Sequence, residues 1–252
     1  RPEVVDWHRL MGRAIKEMDP YDHMITTHVC GDYTHQNKDN VTLPEIDFAA
    51  VDAYHGSQEP THIVELMAST AEFNNPMGKP VVVTEFGGSP FAQGVKHLEE
   101  TLHAALWASP TIPLAGTPLF WWWQLIDEEN FYPEFAALSR FMAGEDRRNP
   151  EFQSTPAALL KDGSHTSGML ARCLKNREQA LGWIYRKTDF GAVDPLGPAE
   201  TRGVTLRVSD MKDGMYRVEF WDTIAGKIVK EVAVPSRDSV LTVPVPDFAR
   251  DI

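Results

Sequence analysis

The chain has 252 residues, 42% of them hydrophobic and 10% aromatic, enough to bury one large core or two of ordinary size. Its formal charge of −12, from 36 acidic against 24 basic residues, repels phosphate backbones and anionic membrane surfaces, so neither nucleic acid nor membrane is an expected partner. Cys30 and Cys173 are the only cysteines, too few for a disulfide framework and without a CxxC spacing, which leaves the redox compartment open.

The chain opens on RPEVVDWHRLMGRAIKEMDP, with Val4, Trp7, Leu10, Met11, Ala14, Ile15 and Met18 at helical spacing. This opening has no signal-peptide pattern and reads as that of a cut chain, so localisation stays undetermined; a secreted or periplasmic full-length protein is compatible with it. From there to about Asp146, short apolar runs alternate with amphipathic segments, as in βα units around a parallel sheet. The predicted strands are HMITTHVCG (23–31), IDFAAVDAYHG (46–56), KPVVVTEFGG (79–88) and TPLFWWWQLID (117–127). Helices are predicted between and after them, with apolar faces formed by Ile63, Leu66, Met67, Thr70 and Phe73, by Val95, Leu98, Leu102 and Leu106, and by Phe135, Leu138 and Met142. Pro20 and Pro110 mark helix ends, because the residue before proline is pushed out of the helical region.

After Asp146 the stretch RRNPEFQSTPAALLKDGSHTSG is polar and broken by Pro and Gly, as a linker would be. MLARCLK, QALGWIYRK, GVTLRVSD, GMYRVEFWDT, KIVKEVAV and SVLTVPV then predict a small antiparallel β-sandwich, with turns at Asp213-Gly214 and Ala225-Gly226. The chain therefore divides into residues 1–146 and residues 147–252.

Chemistry concentrates where apolar runs end. Glu85 follows VVVT, and desolvating an unpaired carboxylate costs several kcal/mol, so a packing role does not explain an acid there. Capping a helix or pairing at the rim would explain it, and so would catalysis. Tyr54 and His55 close the preceding predicted strand, and Trp121 to Trp123 occupy the following one. With this company Thr84-Glu85-Phe86-Gly87 resembles the cellulase-like retaining glycosidases of glycoside hydrolase clan A, which are TIM barrels; the resemblance covers residues 1–146.

The resemblance implies an α/β fold class: the C-terminal half, strands 5–8, of a (β/α)8 TIM barrel, followed by the sandwich. It implies that Glu85 is the nucleophile and that Tyr54, matching the Tyr of a His-x-Tyr pattern, hydrogen-bonds it, with Asp52 where the His would stand. It further implies that an aromatic residue at the eighth strand floors the sugar subsite. The second carboxyl group that retention requires, the acid/base Glu, is expected upstream of residue 1.

Strand alternation puts Trp121 and Trp123 on one face and Trp122 on the other. Stacking on a sugar ring and plain packing are both open for each of them, and Trp123, nearest the strand end, is the favoured platform. Gln124, Asp127, Glu128 and Glu129 would then reach sugar hydroxyls or form a solvated rim. His28, Cys30, Asp32 and His35 are metal-ligating types, but their spacing fits no strong motif, so His28 is expected to line the substrate cleft instead. Trp183, Tyr185 and Trp221 are aromatic enough for carbohydrate platforms, although Tyr216, Val218 and Phe220 already define a buried face and favour core packing.

The expectation is thus a retaining hydrolase of β-linked oligo- or polysaccharides, with catalytic Glu85 and substrate-binding Tyr54, His55, His28, Trp121, Trp123 and Gln124. No cofactor or metal is implied, and self-association or pairing with a missing N-terminal half-barrel is expected. A non-catalytic carbohydrate-binding protein of the same fold is the alternative. A phosphate-binding barrel is disfavoured by the acidic charge and by the lack of a Gly-rich phosphate loop.

Overall fold

The computed structural model describes residues 2–28, 38–54, 58–191 and 201–252. The first portion runs α1 (Pro2–Met18), β1 (Thr26–His28), α2 (Lys38–Val41), β2 (Phe48–Tyr54), α3 (His62–Asn74), β3 (Val81–Gly87), α4 (Pro90–Gln93), α5 (Val95–Ala108), α6 (Trp123–Glu128) and α7 (Tyr132–Phe141). Strands β1, β2 and β3 form a parallel sheet in that order, as the alternation of apolar runs and amphipathic helices predicts.

Helices cover one face of this sheet. Ala49, Val51 and Ala53 of β2 and Val81, Val83 and Phe86 of β3 pack there with Ile63 and Met67 of α3 and Leu98, Leu102 and Leu106 of α5, each large side chain stabilising the fold by about 1.5–3 kcal/mol. The opposite face is the one left for chemistry. On α1 the apolar stripe predicted from spacing is largely in solvent: Val4, Trp7, Leu10, Met11, Ile15 and Met18 are all exposed. Among the described residues no helix is long and apolar enough to cross a membrane.

The predicted fourth strand is not a regular one. Residues 115–121 run along the free edge of β3 through Ala115 N–H to Val81 O, Leu119 N–H to Val83 O, Phe86 N–H to Leu119 O and Trp121 N–H to Phe86 O, but only Phe120 forms a bridge, parallel to Phe86. Pro118 has no N–H to give the ladder. From Trp123 the chain is helical, because Gln124, Leu125 and Glu128 are good helix formers and no further strand partner draws the backbone out. The aromatic triplet suggested a longer strand than the chain forms.

In the second portion β4 (Gln153–Pro156), β7 (Met169–Lys175) and β8 (Ala180–Arg186) make a three-stranded sheet. A six-stranded sheet has the order β10 (Gly214–Asp222), β11 (Lys227–Arg237), β12 (Val240–Pro244), β9 (Val204–Ser209), β5 (Ala158–Lys161), β6 (Ser164–His165). All pairings here are antiparallel. The two antiparallel sheets enclose a core of Leu159, Ala171, Cys173, Ile184, Val208, Phe220, Leu241 and Val243. Burial there pushes the Cys173 thiol up to about 12, which makes it a packing residue. The stretch expected to be a linker instead holds β4, β5 and β6, strands of four, four and two residues, too short to show an alternation pattern. Asp238 and Ser239, both at positive φ, make the tight β11–β12 turn.

Gly226, in the turn between β10 and β11, touches the first portion. A Cβ there would lie 2.5 Å from Ala137 Cα of α7, and Arg140 donates to the Gly226 and Ala225 carbonyls. A larger seam lies around His103 of α5. Its Nδ1 bonds Glu134 Oε2 of α7 at 2.6 Å and its Nε2 bonds Asp251 Oδ2 at 2.8 Å, while Trp183 Nε1 of β8 also donates to Asp251 Oδ2 at 2.9 Å. Burial alone would push His103 down, but Asp251 and Glu134 outweigh it and hold the imidazole at about 9. Trp183 and Tyr185 are buried and stacked, ring centroids 4.1 Å apart, within the first portion's core. Core packing, rather than sugar binding, is therefore their use; Trp221 is half-buried, edge-on to Phe141.

Candidate active site

The open face of the parallel sheet gathers four polar side chains, and strand register explains why. In β1–β2 pairing His28 lies opposite Ala50, so His28, Ala50, Asp52 and Tyr54 share a face. Along β3, Val81 and Val83 pair with Ala49 and Val51 on the helix-covered face. Strict alternation would send Glu85 to that face too. The register shifts after Val51, so that Asp52 pairs with Glu85 and Thr84 is the extra residue; its hydroxyl donates to the Val51 carbonyl at 3.2 Å. This bulge turns Glu85 onto the open face with Asp52 and Tyr54, and returns Phe86 to the core.

The Tyr54 hydroxyl donates to Glu85 Oε2 at 3.0 Å, a charge-assisted bond of the kind that orients a carboxylate. Asp52 is completely enclosed. Its Oδ1 is hydrogen-bonded to His28 Nε2, while its Oδ2 has no partner among the described residues. One ligating atom from each of His28, Asp52 and Glu85 lies within 4.8 Å of the others. Asp52 is thus close enough to Glu85 to suggest a catalytic carboxyl pair, but a fully buried group cannot reach a glycosidic oxygen.

Beyond β3, Gly87 takes φ +146, and a Cβ there would sit 3.3 Å from Trp122 Cδ1. The Trp122 indole lies against this backbone and donates to the Gly88 carbonyl at 2.7 Å. Trp121 follows the Phe86–Phe120 bridge and is 48% exposed. Trp123 is 67% exposed but begins α6 rather than ending a strand, and Gln124 lies exposed on the same helix. His55 lies outside the described residues, as do Cys30, Asp32 and His35.

The resemblance paired Tyr54 with Glu85 and the sequence pointed to His28 by itself; in the structure Tyr54 bonds Glu85 and His28 lies with Asp52 and Glu85 on the same sheet face. What sequence reasoning missed is Asp52 as the partner of His28. The signal was present: an acid in the middle of FAAVDAY, a run buried at its centre, requires a partner on a neighbouring strand.

No protein-family model matches the chain, and no curated protein matches it. Among solved structures, it overlaps the endo-β-1,4-mannanase from Thermotoga petrophila with 12% identity and a TM-score of 0.36, covering 97% of this chain and 61% of that one. It overlaps a glucosidase from Croceicoccus marinus with 14% identity and a TM-score of 0.41, covering 98% and 62%. The chain thus spans about three fifths of the length of each.

Proposed function

We propose that this chain carries the nucleophile of a retaining β-glycoside hydrolase, with Glu85 attacking the anomeric carbon to form a glycosyl-enzyme that water later releases. The observation that carries the reading is the Tyr54–Glu85 hydrogen bond across the bulge. It holds a carboxylate oxygen at the end of a parallel strand, where βα folds place their chemistry. Tyr54 orients the carboxylate, and the exposed indoles of Trp121 and Trp123 offer apolar faces to a sugar ring. His28 and Gln124 are within the set that would contact hydroxyls. The substrate is an oligo- or polysaccharide with β-linkages, and the reaction needs no cofactor.

The acid/base carboxyl would come from a fourth barrel strand upstream of residue 1, about 5–5.5 Å from Glu85. In this reading residues 1–146 are a half-barrel and 147–252 a sandwich domain, and the apolar stripe of α1 is covered by the units that complete the barrel. A Glu85→Gly enzyme tests the assignment. Added azide should restore turnover of an activated aryl β-glycoside and yield the α-glycosyl azide; rescue giving the β-azide, or none, would count against Glu85.

A second reading, a carbohydrate-binding protein without hydrolysis, is favoured by one observation: the carboxylate nearest Glu85 on its face, Asp52, is enclosed. Tight oligosaccharide binding by the complete protein, with no turnover of activated glycosides, would select it.

A further inference from the structure

We infer that His28, Asp52 and Glu85 form a binding site for a divalent transition cation of the zinc class, and that such a cation blocks the site. The block, though not the binding, rests on the reading of Glu85 as nucleophile. Three observations support the site. The three residues come from β1, β2 and β3 and share one sheet face, so backbone pairing rather than loop conformation sets their spacing. Their ligating atoms lie within 4.8 Å of one another. Asp52 is wholly buried, and among the described residues its Oδ2 has no hydrogen-bond partner, a cost that a cation would remove.

The donor set points to the class of ion. One imidazole nitrogen with two carboxylate oxygens suits zinc and its neighbours, whereas magnesium and calcium take oxygen ligands almost exclusively. Catalytic-type zinc sites use three protein ligands with the fourth position open to solvent. Ligand atoms around a tetrahedral zinc are about 3.4 Å apart, so the trio must close slightly. Torsion of the partly exposed Glu85 side chain supplies that movement. The Tyr54 hydroxyl on Glu85 Oε2 is then the outer partner that orients a ligating carboxylate. Around His103, by contrast, both ring nitrogens are engaged and Asp251 also takes Trp183 and Arg250, whereas on the sheet face a cation would replace the His28 Nε2–Asp52 Oδ1 contact and take up Asp52 Oδ2, which has no partner among the described residues.

Calorimetric titration of chelator-treated protein with zinc chloride at neutral pH, with magnesium chloride in parallel, tests the inference. The expected result is one zinc per chain, no magnesium signal, and affinity lowered at least tenfold in both His28→Gln and Asp52→Asn. His28 is partly exposed, so its variant stays informative if Asp52→Asn does not fold. Absence of zinc binding, or binding unchanged in His28→Gln and so owed to surface histidines, overturns the inference. Saturating zinc should also protect Glu85 from a mechanism-based fluoroglycoside. Zinc binding lost in the variants while the label falls on another carboxylate would leave the cation site and remove the catalytic reading. Label on Glu85 without zinc binding would do the reverse.

Discussion

Tyr54 and Glu85 meet because of a residue that belongs to neither's hydrogen bond: Thr84 is accommodated as a bulge, Glu85 comes opposite Asp52, and the Tyr54 hydroxyl reaches Glu85 Oε2 at 3.0 Å. Without the extra residue the apolar run on β3 would carry Glu85 into the helix-covered core, where a carboxylate has no partner.

Replacing Tyr54 by Phe deletes this bond while the half-buried ring remains. Loss of a hydrogen bond to a charged group is worth about 1.5–3 kcal/mol, so kcat/KM of the complete enzyme should fall roughly 10- to 150-fold with an unchanged melting temperature. A fall below twofold would show that Tyr54 does not orient Glu85.

Trp121 is half in solvent next to the Phe86–Phe120 bridge, so, if it floors the sugar site, Trp121→Ala should leave the fold intact while weakening sugar contact. A stacked ring is worth about 0.5–1.5 kcal/mol beyond the area it covers. Kinetics and thermal melting measured together decide the matter: roughly tenfold lower kcat/KM with stability retained supports the platform. A destabilised protein with normal activity per folded molecule would make Trp121 a packing residue.

The seam around His103 predicts a pH dependence of stability. The folded imidazole, held up to about 9 against burial by Asp251 and Glu134, lies above its unfolded value of about 6.5. Its contribution, on the order of 3 kcal/mol, is therefore complete below about pH 6.5 and lost as pH rises through 9. Burial would raise Asp251, but His103 holds it well below the usual carboxylate range, so that contribution disappears in acid instead. Melting temperature should fall by roughly 5–10 °C between pH 6.5 and 9, and the slope should vanish in His103→Gln. An equal slope in both proteins would place the titration elsewhere.

Much of this arrangement is legible in the sequence. The three parallel strands, α3, α5 and α7 follow from apolar periodicity, because their packing faces are regular, and α1 follows from the same period although its stripe lies in solvent. Glu85 and Tyr54 stood out because polar groups end buried runs. The bulge at Thr84 was not legible, since register is a property of two strands and neither sequence alone encodes the slip. For the same reason Asp52 looked like a mismatch to a pattern, although His28 on β1 answers it across the sheet. Trp123 was misplaced because aromatic residues score as strand formers whether or not a neighbouring edge supplies hydrogen bonds. Strands β4 to β6 escaped because two to four residues show no period.

Glu85 is the residue on which the proposed chemistry turns. A 2-deoxy-2-fluoro glycoside with an activated leaving group traps the glycosyl-enzyme and needs no acid assistance to react, so peptide mass spectrometry reads the nucleophile directly. The label is predicted on the peptide containing Thr84-Glu85-Phe86-Gly87, with Glu85→Gln abolishing it. Label on any other carboxylate, or labelling that survives Glu85→Gln, would contradict the account.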